Sequence, residues 1–136
     1  MPQLDHEKLD VYQAAIQFLR MAYETAENLP RGNAHLGDQL RRAAISIPLN
    51  IAEGAGEFSP ADKARFYRMA LRSSTECAAI LDVCRALGMQ DEPARLERRD
   101  LLVRIVSMLT RLAKAQRRTT HGSGNGSGIG SGKRWQ

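Results

Sequence analysis

Large rings are scarce in this chain: its 136 residues hold three phenylalanines, three tyrosines and one tryptophan. A core without them must come from Leu, Ile, Val, Met and Ala, which suits closely packed helices. Cysteine is almost absent as well. Cys77 and Cys84 stand seven apart, about 10 Å of rise on one helix, whereas a disulfide needs Cα atoms within about 7 Å. The plain reading is two small core residues on one stripe, with a redox or metal pair as the alternative. No window reaches the roughly 18 apolar residues of a membrane span. The opening MPQLDHEKLD has no basic segment followed by an apolar one, so no secretory signal is expected. These absences point to a single cytoplasmic domain with no membrane contact.

Patterns that carry chemistry are also missing. His6, His35 and His121 each lack a second His or Cys at ligand spacing. There is no Ser/His/Asp set, Walker loop or Gly-x-Gly-x-x-Gly cradle. Gly54-Ala55-Gly56 is too short and lies where a helix should stop. The GSGNGSGIGSG stretch has no strand before it and no helix after it. No metal, no cofactor and no enzymatic activity are expected.

What is present is charge, unevenly spread. Residues 1–58 carry five basic and eight acidic side chains, and residues 59–136 carry fifteen and seven, for a net charge of +5 overall. Such asymmetry suits one basic surface facing an acidic or polyanionic partner; a solvated basic helix face is the alternative. Arginine outnumbers lysine sixteen to four, which favours bidentate phosphate contacts and equally reflects a GC-rich coding genome.

Four helices are expected. In the first, Leu9, Tyr12, Ile16, Leu19, Tyr23 and Ala26 form a heptad-like stripe, with Val11, Ala15, Phe18 and Ala22 beside it. It should end near Asn28. The second begins near Asn33 or Ala34 and runs toward Gly54–Gly56. Leu36, Leu40, Ala43, Ile47 and Ile51 mark its core face, and Pro48 inside it frees the Ala44 carbonyl. The third opens on Ser59 as N-cap, Pro60 at the first helical position and Asp62 where a capping carboxylate belongs. Its expected core stripe is Phe66, Met69, Ser73, Cys77, Ile80, Cys84 and Leu87, flanked by Tyr67, Leu71, Ala78 and Leu81, with Gly88 as the stop. The fourth starts near Asp91-Glu92-Pro93 and ends around Arg117-Arg118. Its core stripe is Leu102, Ile105, Val106, Leu109, Leu112 and Ala113.

Four helices of this length with short loops make an all-α, antiparallel up-down-up-down bundle over residues 1–118. Residues 119–136 read as a flexible Gly/Ser-rich tail. Its last residues, Lys133, Arg134 and Trp135, are suited to docking on a partner, though an appended sequence would look the same. Two apolar stripes on the first and third helices exceed what a lone bundle buries, so a homo-oligomer is expected. A generous core in a monomer is the alternative.

The run Ser46-Ile47-Pro48-x-Asn50-Ile51-Ala52-Glu53-Gly54, followed by Arg65-Phe66-Tyr67-x-x-Ala70-x-x-Ser73-x-x-Glu76, resembles a family of small four-helix bundles. Its members are encoded in intervening sequences of bacterial large-subunit ribosomal RNA genes. The resemblance covers roughly residues 5–116. At the level of fold that family is similar to the accessory variability proteins of diversity-generating retroelements, which partner a reverse transcriptase and its RNA template. The resemblance implies a ring-shaped homopentamer with a positively charged surface for nucleic acid, and a reverse transcriptase as a candidate partner.

Two sets of residues are candidates for function. The first is polar: Ser46, Asn50 and Glu53 share one helix face around Pro48, and Ser73 and Glu76 lie on the next helix. They read as a structural network that caps the proline break and fixes register and subunit contacts, with Arg41, Arg42 or Arg65 neutralising the carboxylates. A catalytic or metal-binding Glu53–Glu76 pair is the sharper reading, but no Glu-x-x-His pair accompanies it. The second set is basic: Arg65, Arg68 and Arg72 on the third helix, then Arg95, Arg98, Arg99, Arg104, Arg111, Lys114, Arg117 and Arg118 on the fourth. With few aromatics among them, binding should be backbone-directed, salt-sensitive and weakly sequence-specific. The expected function is a non-enzymatic oligomeric adaptor that binds structured RNA or an RNA–protein complex. The alternative is a protein-binding scaffold without nucleic-acid affinity.

Overall fold

A computed structural model of the chain describes residues 2–89 and 92–122, with side chains as far as residue 117. After a 3-10 turn at Asp5–Lys8 come four helices: α1 (Asp10–Glu27), α2 (Ala34–Gly56), α3 (Pro60–Ala86) and α4 (Glu92–Gly122). The described residues contain no strand. Contacts run from α1 to α2, α2 to α3, α3 to α4 and α4 back to α1, so each helix has two neighbours around one core. None of the helices is long and apolar enough to cross a membrane.

The ends of α3 form as its residues dictate. Ser59 Oγ accepts a hydrogen bond from the Asp62 backbone N–H at 3.0 Å, and Pro60 fills the first helical position. Such a cap contributes about 1 kcal/mol. At the other end Gly88 takes φ +69°. The N–H groups of Gly88 and Met89 then bond back to the carbonyls of Arg85 (3.0 Å) and Cys84 (2.9 Å), the Schellman arrangement that glycine makes cheap. Helix α4 runs on to Gly122, past the expected stop at Arg117-Arg118. An established helix gains a bond for each residue added, and the threonines at 119 and 120 oppose this only weakly. Residues 123–136 lie outside the described part.

The core differs from the expected stripes by a rotation of α1 and of the first half of α3. In α1 the buried line is Val11, Ala15, Phe18 and Ala22, while Leu9, Tyr12, Ile16, Leu19 and Tyr23 are half-buried at its edge. In α3 the expected Cys77, Ile80 and Cys84 are buried, with Leu81 beside them, but ahead of them Tyr67, Ala70 and Ser74 are the buried line. Phe66 and Ser73 are half-buried, and Met69 and Leu87 are exposed. Both rotations place the stripe with more small residues inward. Alanine and serine let backbones approach, and a closer approach brings more atoms into contact. Ser74 is fully buried without cost, because its hydroxyl donates to the Ala70 carbonyl at 2.8 Å. Helices α2 and α4 keep their expected faces, with Leu40, Ala43, Ile47 and Ile51 buried on one and Leu102, Ile105 and Leu109 on the other.

The tightest contact joins α2 to α3. Gly54 is buried, and a Cβ there would stand 2.7 Å from Tyr67 Cε1 and 3.2 Å from Phe66 Cβ. Only glycine allows Tyr67 to enter the core at this level. Lys63 then reaches back from the first turn of α3 and donates to the Gly54 and Ala55 carbonyls at 3.3 and 2.9 Å. A cation on the open carbonyls at a helix C-terminus is favourable.

Two outcomes follow from this packing. Gly54→Ala should lower stability by about 1–3 kcal/mol through overpacking against Tyr67, read as a fall in the urea midpoint. Burial, with the nearby Glu76 adding to it, pushes the Cys77 thiol from 9.0 up to about 12. The folded state therefore holds that proton more tightly than the unfolded chain. The linked stability is complete below pH 9 and is lost as pH rises toward 12. Burial of Tyr67 and Cys84 raises their values in the same direction. The urea midpoint should drop across this interval, and less so in Cys77→Ala.

Candidate nucleic-acid interface

The polar set assembles in part. Ser73 Oγ donates to Ser46 Oγ at 2.8 Å, joining α3 to α2. Asn50 Nδ2 donates to the same Ser46 Oγ at 2.9 Å and to the Ser46 carbonyl at 2.8 Å. The network thus ties one helix to the next, and Asn50 donates to the Ser46 carbonyl rather than capping the Ala44 carbonyl, whose usual donor Pro48 removes. Pro48 itself is buried in α2. Glu53 and Glu76 are exposed on their helices and make no hydrogen bond or ion pair among the described residues. None of the three expected arginines pairs with them: Arg41 pairs with Asp38 at 3.2 Å and lies over the Tyr23 ring, Arg65 lies over Phe66 with 4.9 Å to the ring centre, and Arg42 is exposed. Among the described residues no group of three or more His, Cys, Asp or Glu side chains gathers as a metal site.

The basic set divides into three places. On α3, Arg65, Arg68 and Arg72 line an open groove with Met69, Leu71 and Thr75. Burial, and then the charge of Arg72, lower the Arg68 pKa from its ordinary value. The guanidinium remains charged. Across the α3–α4 seam, Lys114 and Arg117 join Arg68 around a second groove of about 190 Å³, floored by Ala64, Leu71 and Ala113. The two grooves share Arg68 and Leu71.

Near the start of α4 the picture differs. Arg95 has a side chain only 13% exposed, held by Glu92 through Nη2 at 3.0 Å and Nε at 3.2 Å. It fastens the first turn of the helix and offers little to a partner. Arg98 is half-buried, and Arg99 lines an apolar cleft with Leu102 and Val103. Arg104 is exposed, and exposed Arg111 borders the α1–α4 groove beside Leu9 and Leu112. The Arg118 side chain lies outside the described ones.

The family described as 23S rRNA-intervening sequence protein matches residues 7–111 of this chain. The chain belongs to that family. No curated protein matches it. The matched span runs from before α1 into α4 and includes the Ser46–Ser73 network, the Gly54–Tyr67 contact and the Arg65–Arg72 face. Lys114 and Arg117 lie just beyond it.

The sequence alone shows Arg65, Arg68 and Arg72 on one face. It does not show Lys114 and Arg117 arriving beside them from another helix, nor Lys63 spent on the end of α2. A pattern was available for the first: Ala64, Arg68, Leu71 and Thr75 on α3, and Thr110, Ala113 and Arg117 on α4, alternate by three and four and so mark one seam.

The polar network has a measurable coupling. In a double-mutant cycle, Ser46→Ala and Ser73→Ala should each cost about 0.5–1.5 kcal/mol. The pair should cost less than the sum, since each single change removes the same bond.

Proposed function

We propose that this protein is a non-enzymatic oligomeric adaptor whose basic surface binds structured RNA, or an RNA–protein complex such as one built around a reverse transcriptase. The observation that carries the reading is the open groove on α3 that Arg65, Arg68 and Arg72 line together. Guanidinium groups in this arrangement suit phosphate oxygens. The family name, with its reference to ribosomal RNA, is in keeping with an RNA association.

The proposed assembly is a homopentameric ring of antiparallel up-down-up-down bundles in the cytoplasm. Short connections between successive helices support the topology. So do the pairings of Ser46 with Ser73 and of Gly54 with Lys63, in which later α2 positions meet earlier α3 positions. Half-buried Ile16, Leu19 and Tyr23 on α1, and Leu49, Phe58 and Met69 among the exposed apolar side chains, support self-association. Repetition around a ring would add weak phosphate contacts through multivalency.

Arg65→Glu, Arg68→Glu and Arg72→Glu combined should weaken binding of a structured RNA by about tenfold or more at moderate salt, measured by fluorescence anisotropy on nuclease-treated protein. Circular dichroism should show the helices intact. Undiminished affinity in the folded triple variant would reject this face. No affinity in the unaltered protein would leave the scaffold reading, in which the arginines meet acidic proteins.

A further inference from the structure

The seam between α3 and α4 holds two open clefts in succession. On α3 its wall is Ala64, Arg68, Leu71, Thr75, Ala78 and Asp82. On α4 it is Arg99, Val103, Val106, Thr110, Ala113 and Arg117. Both series step by three and four, so they are heptad lines facing one side. The middle is apolar or small, with a cleft of about 230 Å³ around Ala78, Leu81, Leu102 and Val106, and Val103 is 52% exposed. One end is basic through Arg68, Lys114 and Arg117, and Arg99 adds a cation toward the other, where Asp82 stands opposite. A phosphate backbone would leave the apolar floor uncovered, whereas the apolar edge of a helix would cover it.

The chain carries a helix that fits. Helix α1 has 18 residues, and the seam from Ala64 to Asp82 spans about 27 Å at 1.5 Å per residue, the length of such a helix. Along α1, Tyr12, Ile16, Leu19 and Tyr23 form a half-buried heptad line. That line is flanked by acids, Asp10 at one end and Glu24 and Glu27 at the other, all exposed and none in an ion pair among the described residues; Arg20 shares the surface of Glu24 and Glu27, and Arg41, already paired with Asp38, lies over Tyr23. Lys114 and Arg117 likewise make no ion pair among the described residues. We propose that α1 of one protomer docks by its Tyr12–Tyr23 edge into the α3–α4 seam of a second copy, with its acidic ends against the basic side chains of that seam.

The inference rests on the self-association proposed above and gives it a surface. The two halves of such a contact differ, so each protomer offers one edge and one seam. The interface is heterologous and propagates around a ring. It also divides the basic residues: Lys114 and Arg117 are covered by the neighbour, Arg65 and Arg72 remain open to a polyanion, and Arg68, which lines both grooves, stands at the border and stays within reach of the polyanion.

A charge swap tests the pairing, read as mass by sedimentation on nuclease-treated full-length protein. Glu24→Arg with Glu27→Arg should reduce the oligomer to the 15.1 kDa chain. Lys114→Glu with Arg117→Glu should do the same. All four changes in one chain should restore the oligomer, which a merely destabilised fold would not do. Val103→Glu, at an exposed position, should also dissociate it. An oligomeric parent whose mass survives both double reversals and Val103→Glu places the interface elsewhere and leaves self-association standing. A monomeric parent overturns the docking and the self-association together.

Discussion

The approach of α3 to α2 at Gly54 governs the rest of the structure. Tyr67 enters the core there because nothing projects from Gly54 to stop it. Once Tyr67 points inward, helical geometry sends Ala70, Ser74 and Cys77 inward behind it. Arg65 and Arg72, on nearly the same heading as each other, turn outward. Lys63 is drawn to the end of α2, where it satisfies two carbonyls. The Ser46–Ser73 bond holds the same pair of helices further along. One missing methyl group thus sets the rotation of α3, and that rotation decides which arginines face solvent together.

The positive charge of the second half of the chain is therefore several surfaces with different uses. Arg95 is a structural contact of the first turn of α4, tied to Glu92. Arg65, Arg68 and Arg72 share an open groove on α3. Lys114 and Arg117 border a seam whose floor is apolar. Sequence charge counts treat these side chains alike. Their surroundings do not, because a desolvated, paired cation and an exposed one differ in what they can offer a phosphate. The proposed adaptor calls for distinct faces of this kind, one for self-association and one for a polyanion.

Much of the fold is legible from the chain. Ser59-Pro60 and Leu87-Gly88 mark the ends of α3 because capping is local chemistry, and α2 begins and ends where Asn33 and Gly56 indicate. The core faces of α1 and α3 are harder to read. Each carries two apolar stripes of similar strength, and periodicity cannot rank them. Small residues decide, through an approach that exists only when the neighbouring helix is in place. The polar motif is legible in the same limited way. Ser46, Asn50 and Ser73 meet because their spacing puts them on facing helices. Glu53 and Glu76 share that spacing yet stay in solvent, where a carboxylate is best hydrated. Lys114 and Arg117 reach Arg68 only through the packing of α4 on α3, a contact 40 or more positions apart in the chain.

The central claim is that the exposed arginine face recognises phosphate groups by charge. The salt dependence of RNA affinity tests it most directly, with nuclease-treated protein and RNAs of unrelated sequence. Three arginines on three phosphates predict that log K falls linearly with log salt with a slope of at least about −2, and with similar slopes for every sequence. A flat salt dependence, or affinity confined to one sequence at constant salt, would contradict the account.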